Sequence, residues 1–299
     1  MLEDIAIQLL FGLARGSLLF LLAVGLTLIY GMLNVLNFAH GVLFMLGGLF
    51  AVSLLSVLGH AQTTLWIILL LMAPFLVTLV GVGFKFWLIP VIKGPREIYE
   101  VKTLIFTIGI AMIFSALART VWGADVYSFL KPSLIAGNIN VIGRAIPAYD
   151  FLLYGLGLGI GIFLIFLFFK TPTGVLTRAY AFDERITSAM GVDTGRLSLI
   201  MFALGSFLAG LGGTLNALVG TVEFLTWKKI ILEAFIVAII GGLGSFRGVL
   251  VGAYLIGIIE SLVIFFFARF GPWISWIAIY IVFVIVLIFR PRGIFGGRF

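Results

Sequence analysis

Very few residues of this chain could carry out chemistry. It has two histidines, His40 and His60, and no cysteine, so thiolate nucleophiles, disulfides and cysteine-ligated metals are excluded. No stretch has the Gly-x-x-x-x-Gly-Lys-Ser/Thr pattern of a nucleotide phosphate loop. Residues 242–245, Gly-Leu-Gly-Ser, faintly resemble a serine-hydrolase elbow, but no histidine is placed to act as the base. The sequence therefore predicts no intrinsic catalysis and no metal or cofactor site.

Polar residues inside apolar runs are the second kind of candidate. Glu260 lies thirteen residues into its run, ~20 Å along a helix. His40 follows Asn37 by three positions, on one helical face. Ionisable groups in hydrocarbon are costly and usually face a watery path or the protein interior. We expect Glu260 to line a path or subunit interface, or to be a hydrogen-bonded structural carboxyl. Alternatively, His40 is a helix-start residue near the cytoplasmic interface that bonds loop carbonyls. Arg15, the one cation inside the first run, should extend its guanidinium to the membrane surface or pair within the assembly.

Membrane helices are the elements that must position these groups. Only 10% of the residues are charged and 63% are hydrophobic, whereas soluble domains are about 25% charged. Too few polar residues remain to cover a water-soluble surface, so the chain is predicted to be an all-α polytopic membrane protein. Its net charge of +7 is spread between apolar runs, without the basic patch that nucleic acid requires. The first apolar run follows an acidic N-terminus and is too long for a cleaved leader, so it should remain as a span.

Nine runs are apolar over about the 20 residues that a spanning helix needs. Runs 35–58 and 230–245 are interrupted by polar residues or glycines, so either could be discontinuous or re-entrant. We therefore expect about 8–10 transmembrane helices in one domain, residues 1–299. The nine runs are 5–31, 35–58, 64–89, 102–122, 151–170, 198–221, 230–245, 247–268 and 272–290.

The distribution of cations predicts the orientation. Loops 85–102 and 170–196, the tail 290–298 and Arg247 carry twelve Lys and Arg residues, against six on the opposite side. The first side is therefore assigned to the cytoplasm by the positive-inside rule. The N-terminus falls outside if all nine runs cross, and inside if one is re-entrant.

Two connections are long. Residues 123–150 are predicted to form an external segment, and residues 171–197 a cytoplasmic one. In the second, Arg178 to Met190 contains no glycine or proline and predicts one short amphipathic helix, which Gly191 should end.

Small residues recur at four-residue spacing in two runs. Gly244, Gly248 and Gly252 form one series, and Gly205, Ala209 and Gly213 form the other. Such spacing lets helix backbones approach closely in lipid, either as static packing or as a mobile interface.

The sequences Phe-Ala-His-Gly-Val-Leu (38–43) and Phe-Arg-Gly-Val-Leu (246–250) also echo one another at the start of a run. The echo could mark an internal inverted repeat, as in many transporters, or arise by chance.

Four segments resemble the branched-chain amino-acid (Liv-type) permeases of ATP-binding-cassette transporters. Residues 28–41, Leu-Ile-Tyr-Gly-Met-Leu-Asn-Val-Leu-Asn-Phe-Ala-His-Gly, are similar to the N-terminal signature of that family, in its LivH-like form. Residues 178–192 resemble its coupling loop. Residues 238–248, Ala-Ile-Ile-Gly-Gly-Leu-Gly-Ser-Phe-Arg-Gly, and 290–296, Arg-Pro-Arg-Gly-Ile-Phe-Gly, are similar to its glycine-rich and C-terminal segments. Their order and spacing match over nearly the whole chain.

The resemblance implies a non-catalytic subunit with several partners. These would be a second permease subunit, LivM-like or another copy of this chain, two cytoplasmic ATPases that bind the ATP, and an external solute-binding protein. A coupling segment would dock on an ATPase. Phe182-Asp183-Glu184 departs from the general importer pattern Glu-Ala-Ala, so the equivalence of Glu184 to the acid of that pattern is open. The coupling residues would be Ala181, Phe182, Asp183, Glu184, Arg185, Ala189, Met190 and Gly191.

A translocation path is expected beside the two interrupted runs, because interrupted helices cannot face lipid. Its candidate residues are Asn34, Asn37, His40, Gly41, Gly244, Ser245, Gly248 and Glu260.

The resemblance implies import of a small polar solute across the inner membrane. Branched-chain or other amino acids are the first expectation, while urea, amides and aromatic acids are alternatives within the same family. An ion-coupled secondary transporter, a membrane-embedded enzyme and a structural scaffold are the rival classes. A secondary transporter should carry coupling residues, and Glu260 is the only carboxylate deep in an uninterrupted run.

Overall fold

The computed structural model describes residues 2–58, 63–92, 99–128, 136–141, 143–271 and 273–296. Within them the chain is almost entirely helical, as predicted. A two-stranded antiparallel hairpin, β1 with β2, precedes α5, and a 3₁₀ turn, Ala268–Phe270, follows α10. The elements in chain order are α1 Leu2–Leu33, α2 His40–Leu58, α3 Thr63–Ile92, α4 Tyr99–Trp122, β1 Asn138–Val141, β2 Arg144–Pro147, α5 Ala148–Lys170, α6 Pro172–Phe182, α7 Glu184–Ala189, α8 Thr194–Asn216, α9 Thr226–Gly241, α10 Phe246–Phe266 and α11 Ile274–Phe289.

Six of the described helices are long and apolar enough to cross a membrane: α1, α3, α4, α5, α8 and α10. Two shorter apolar helices, α2 and α11, add to them. The two interrupted runs are discontinuous, because run 35–58 becomes helical only at His40 and run 230–245 stops being helical after Gly241. Segment 123–150, predicted to be external, contains the hairpin, although residues 129–135 and 142 lie outside the described part.

Helices α1 and α8 form the centre of the bundle. The most apolar stretch of α1 is 89% buried and that of α8 is 72% buried, whereas the corresponding stretches of the other four are at most one third buried. The other four long helices therefore lie around this pair and present large apolar side chains outward, for example Phe75, Ile105 and Ile162.

Glycines let α8 touch its neighbours through the backbone. A Cβ placed on Gly205 would lie 2.8 Å from the carbonyl oxygen of Gly25 in α1, and one on Gly210 would lie 2.8 Å from Cβ of Val77 in α3. One on Gly213 would overlap the carbonyl of Phe44 in α2. Two members of the predicted small-residue series in α8, Gly205 and Gly213, therefore serve close helix packing.

The prediction of a single helix over Arg178–Met190 is wrong. The chain forms α6 and α7 instead, separated at Asp183, whose backbone is extended. The carboxylate of Asp183 accepts hydrogen bonds from the amides of Arg185 at 2.8 Å and Ile186 at 3.0 Å, so it caps α7 rather than continuing α6. Gly191 does end the second helix, with a left-handed φ of +84°.

Replacing Gly213 with alanine should lower stability, because the new methyl group has no room against the Phe44 carbonyl. We expect a loss of about 1–3 kcal/mol, as for other overpacked sites, measured as a lower thermal unfolding midpoint of the purified protein. Gly159→Ala is the control, since nothing lies within 4 Å of its added Cβ. Equal midpoints for the two variants would show that the α2–α8 contact is loose.

Candidate functional site

A buried ion cluster joins three helices. Arg15 of α1 donates one hydrogen bond to Glu233 of α9 at 2.9 Å and another to Glu260 of α10 at 2.8 Å. The Glu233 side chain is 1% exposed, that of Glu260 15% and that of Arg15 24%. Because lipid offers these charges no water, each carboxylate depends on the shared guanidinium.

Glu233 is the member of this cluster that the sequence reasoning missed. It lies in α9, whose run was an uncertain span, so only Glu260 was considered as a deep carboxylate. The available signal was Arg15 itself, since a lone cation inside an apolar helix requires a counter-charge, and Glu233 is another acid within an apolar run. In the structure Arg15 is paired with both carboxylates, and Glu260 accepts a hydrogen bond from it.

Residues 34–39 form a non-helical passage between α1 and α2. Asn34 has a φ of 55°, the one positive value among the described non-glycine residues. Helix α4 supports the passage, because the Tyr99 hydroxyl donates to the Leu33 carbonyl at 2.6 Å and the Phe38 amide donates to the Thr107 hydroxyl at 3.2 Å. The interrupted backbone is thus hydrogen-bonded to protein, as a membrane requires.

The start of α2 packs between α1 and α9. The Nε2 atom of His40, which is fully buried, lies 3.1 Å from the carbonyl oxygen of Leu22. A Cβ on Gly41 would lie 2.8 Å from the carbonyl oxygen of Trp227 in α9, and the Phe38 ring centroid is 4.7 Å from that of Phe235. Only a glycine at position 41 allows this approach of α2 to α9.

Buried polar atoms without a partner concentrate in the same region. Among the described residues they belong to three elements: α1, the start of α2 with the passage before it, and α9. Such atoms are rare in proteins because each costs free energy to bury. Five such atoms occur among the described residues. They are Thr27 Oγ1, Asn37 Oδ1, His40 Nδ1, Trp227 Nε1 and Glu233 Oε1.

The second interruption, Gly242–Ser245, lies at the other end of α9. Gly242 and Gly244 have φ of 105° and 87°, and the Ser245 hydroxyl caps α10 by accepting from the Gly248 amide at 3.1 Å. Gly248 packs against the Gly241 carbonyl. The C-terminal segment closes this end, because the amide of Ile294 donates to Ile240 at 2.8 Å and that of Phe295 to Gly241 at 3.2 Å.

The two interruptions share α9 but do not meet. Gly41 contacts Trp227 near the start of the helix, and Gly248 contacts Gly241 at its end, fourteen residues or ~20 Å apart. Of the predicted path residues, Glu260 belongs to the ion cluster, Gly41 packs on the start of α9, and Gly244, Ser245 and Gly248 lie at its end. Asn34 and Asn37 belong to the passage, where the neighbouring Phe38 contacts Phe235 within α9.

The predicted coupling residues lie together on α6, α7 and the turn after them. Phe182 is 90% exposed, Met190 80% and Ile186 59%. Glu184, Arg185, Ala189 and Gly191 are also exposed, whereas Ala181 is buried. This segment therefore presents three large apolar side chains outside the spanning helices.

Aromatic and basic residues attach the α6–α7 segment to the bundle. The Arg178 guanidinium donates to the Phe168 carbonyl at the end of α5 and lies 5.4 Å from the ring centroid of Phe169. Arg247 of α10 lies 4.4 Å from the same ring. Burial raises the pKa of Tyr180 in α6, so its phenol stays neutral at physiological pH. A displacement of this segment would be transmitted to α5.

Residues 8–287 match the family described as the permease component of branched-chain amino acid transport systems. The chain belongs to this family. It is 27% identical to the high-affinity branched-chain amino acid permease BraD of Pseudomonas aeruginosa, over 97% of this chain and 95% of that protein. It is 28% identical to a probable LivH of Methanocaldococcus jannaschii (94% and 89%) and 25% identical to LivH of Escherichia coli (97% and 94%). No solved structure matches the chain.

The match confirms the LivH-like resemblance inferred from the four sequence segments. It covers nearly the whole length and includes both interruptions, the ion cluster and the α6–α7 segment. The chain is therefore a multi-pass permease of an amino-acid transport family.

Replacing Arg15 with methionine should destabilise this permease strongly, because Glu233 and Glu260 would lose their common partner. Removing one member of a buried ion pair costs about 3–5 kcal/mol. The thermal unfolding midpoint and the yield of folded protein would measure the loss.

Arg144→Met is the matched control, since Arg144 bonds Asp4 through side chains that are 60% and 30% exposed, where ion pairs contribute little. If Arg15→Met does not fold, Glu260→Gln tests the same cluster more mildly. A midpoint unchanged by either cluster substitution would contradict a structural role for the cluster.

Proposed function

We propose that this chain is the transmembrane permease subunit of an ATP-binding-cassette importer, located in the inner membrane. In this proposal it translocates branched-chain or other amino acids. The observation that carries it is the α6–α7 segment, which exposes Phe182, Ile186 and Met190 beyond the spanning helices. Exposed aromatic and aliphatic anchors of this kind are typical of protein interfaces. The family match and the permeases named above support the amino-acid class.

The proposed partners are those implied by the family. Two ATPase subunits bind and hydrolyse ATP, so this chain itself holds no cofactor. A LivM-like subunit or a second copy of this chain completes the transmembrane core, and an external binding protein delivers the solute. The coupling residues are 181–185 and 189–191, and closure of the ATPases moves the α6–α7 segment as a rigid body.

The geometry of α6 and α7 suits this role. Asp183 caps α7 by accepting hydrogen bonds from the amides of Arg185 and Ile186, and Arg178 holds the segment to α5. A rigid, anchored pair of helices transmits a displacement to the bundle better than a flexible loop does. The acid at Glu184 is exposed at the start of α7, beside the phenol of Tyr180.

The proposed translocation path runs along α9, between the passage Asn34–Gly41 and the turn Gly244–Gly248. Asn37, His40 and Glu233 supply buried polar atoms without partners, which water or a zwitterionic solute would satisfy. Asn37 and His40 are 1% and 0% exposed, so the path is closed here in this conformation. Opening it requires the packing of α2 on α9 to change.

Replacing Phe182 and Met190 together with serine should uncouple transport from ATP hydrolysis. Loss of two interface anchors of about 2 kcal/mol each would reduce ATP-driven uptake by more than tenfold while membrane insertion stays normal. Uptake of radiolabelled leucine into vesicles containing the assembled complex, with ATP or an ion gradient as the only energy source, measures this effect.

Val175→Ser is the control, because Val175 is 54% exposed on α6 but lies outside the coupling residues. Normal ATP-driven uptake by the double variant would place the ATPase contact elsewhere. Uptake driven by the ion gradient alone would contradict the importer class itself.

Single cysteines at positions 37 and 245 should show when the path becomes accessible to water, since the native chain has no cysteine to react in the background. Asn37→Cys and Ser245→Cys should be slow to react with small water-soluble thiol reagents at rest, and fast when the complex is trapped with ATP. Ser206→Cys is the control, because Ser206 is fully buried and bonds the Phe202 carbonyl within α8. Protection of positions 37 and 245 in every trapped state would mean that these segments only pack.

A further inference from the structure

A cavity of about 200 Å³ opens between the last turns of α4 and the start of α9. Met112, Ala116 and Leu225 supply apolar wall, and Arg119 and Lys228 are the two charged residues that line it. No acidic side chain is among its lining residues. The cavity thus combines two positive charges with an apolar surface.

The two cations have no carboxylate partner within the described part of the chain. Arg15, Arg144 and Arg196 each form an ion pair there. Arg119 instead lies 5.4 Å from the ring centroid of Phe224, and Lys228 lies 6.0 Å from that of Trp227. These rings position the two cations at the cavity without neutralising them, so the cavity favours an anion.

The neutral polar groups of the cavity point to the same conclusion. The Ser115 hydroxyl is engaged, because it donates to the Phe224 carbonyl at 2.7 Å. Trp227 lines the cavity, is 6% exposed, and its indole N–H has no acceptor among the described residues. The groups left to bind a ligand here are therefore hydrogen-bond donors and cations.

The cavity lies at the end of a spanning helix, where lipid head groups are expected. Arg119 is one turn from Trp122, the last residue of the spanning part of α4, and cations and tryptophans are typical of that depth. Along the same helix, Met112 and Ile105 are 61% and 65% exposed. An apolar face suited to an acyl chain therefore continues from the cavity toward the membrane interior.

We propose that this cavity binds the phosphate of an anionic phospholipid between Arg119 and Lys228, with an acyl chain lying along Met112 and Ile105. Basic pockets between membrane helices recognise such head groups on the cytoplasmic side of other proteins, and the same pairing of cations with phosphate applies to this cavity. The position of the cavity at the end of a span and its apolar continuation favour a lipid over a free anion in solution.

The test uses the purified full-length protein in a neutral detergent. Short-chain phosphatidylglycerol should raise the thermal unfolding midpoint and be retained in native mass spectrometry, whereas phosphatidylcholine should do neither. Each cation removed should weaken phosphatidylglycerol about fivefold, so the variant Arg119→Gln/Lys228→Gln should lose most of the effect.

Lys229→Gln is the matched control, because Lys229 is the next residue but its ammonium lies 4.9 Å from the ring centroid of Trp276, away from the cavity. If the double variant does not fold, stabilisation by phosphatidylglycerol is compared between the single variants Lys228→Gln and Lys229→Gln. Equal weakening by these two substitutions would overturn the proposal, since it would show a general effect of charge. Stabilisation by free leucine or inorganic phosphate without stabilisation by phosphatidylglycerol would also overturn it.

Discussion

Helices in lipid gain nothing by hiding apolar side chains from their solvent, so this bundle depends on close backbone packing. Helix α8 provides it, because Gly205, Gly210 and Gly213 bring its backbone against α1, α3 and α2 in turn. The helices that carry the buried polar groups pack on this centre. Helix α1, packed on α8, carries Arg15, and α2, packed on α8, carries His40 into contact with α1.

The buried charges add specificity to this packing. A guanidinium shared by two carboxylates fixes how α1, α9 and α10 lie relative to one another, since any slippage leaves a charge unpaired in hydrocarbon. Helix α9 is held by this cluster through Glu233 and packs on glycines of α2 and α10 near its two ends. It is short and mostly buried, so polar atoms along it are shielded from lipid, as a solute path requires.

Much of the fold could be predicted from the sequence, and the failures have physical causes. Apolar runs long enough to span a bilayer gave the helices, and glycines and polar residues correctly marked the two discontinuities. The break at Asp183 was missed because aspartate lowers helix propensity only slightly, so its presence alone does not predict a break. Its capping hydrogen bonds depend on the conformation of the local backbone. Glu233 was missed because pairing across 218 positions of sequence leaves no local pattern.

The C-terminal segment has a consequence for biosynthesis. The carbonyls of Ile240 and Gly241 at the end of α9 are satisfied by amides of Ile294 and Phe295, which are synthesised about fifty residues later. At ribosomal rates of about 5–20 residues per second, these two amide donors are synthesised several seconds after α9. During that interval its last turn must be held by water, by lipid head groups or by the insertion machinery. The last turn of α9 is therefore completed only after α11 has been synthesised.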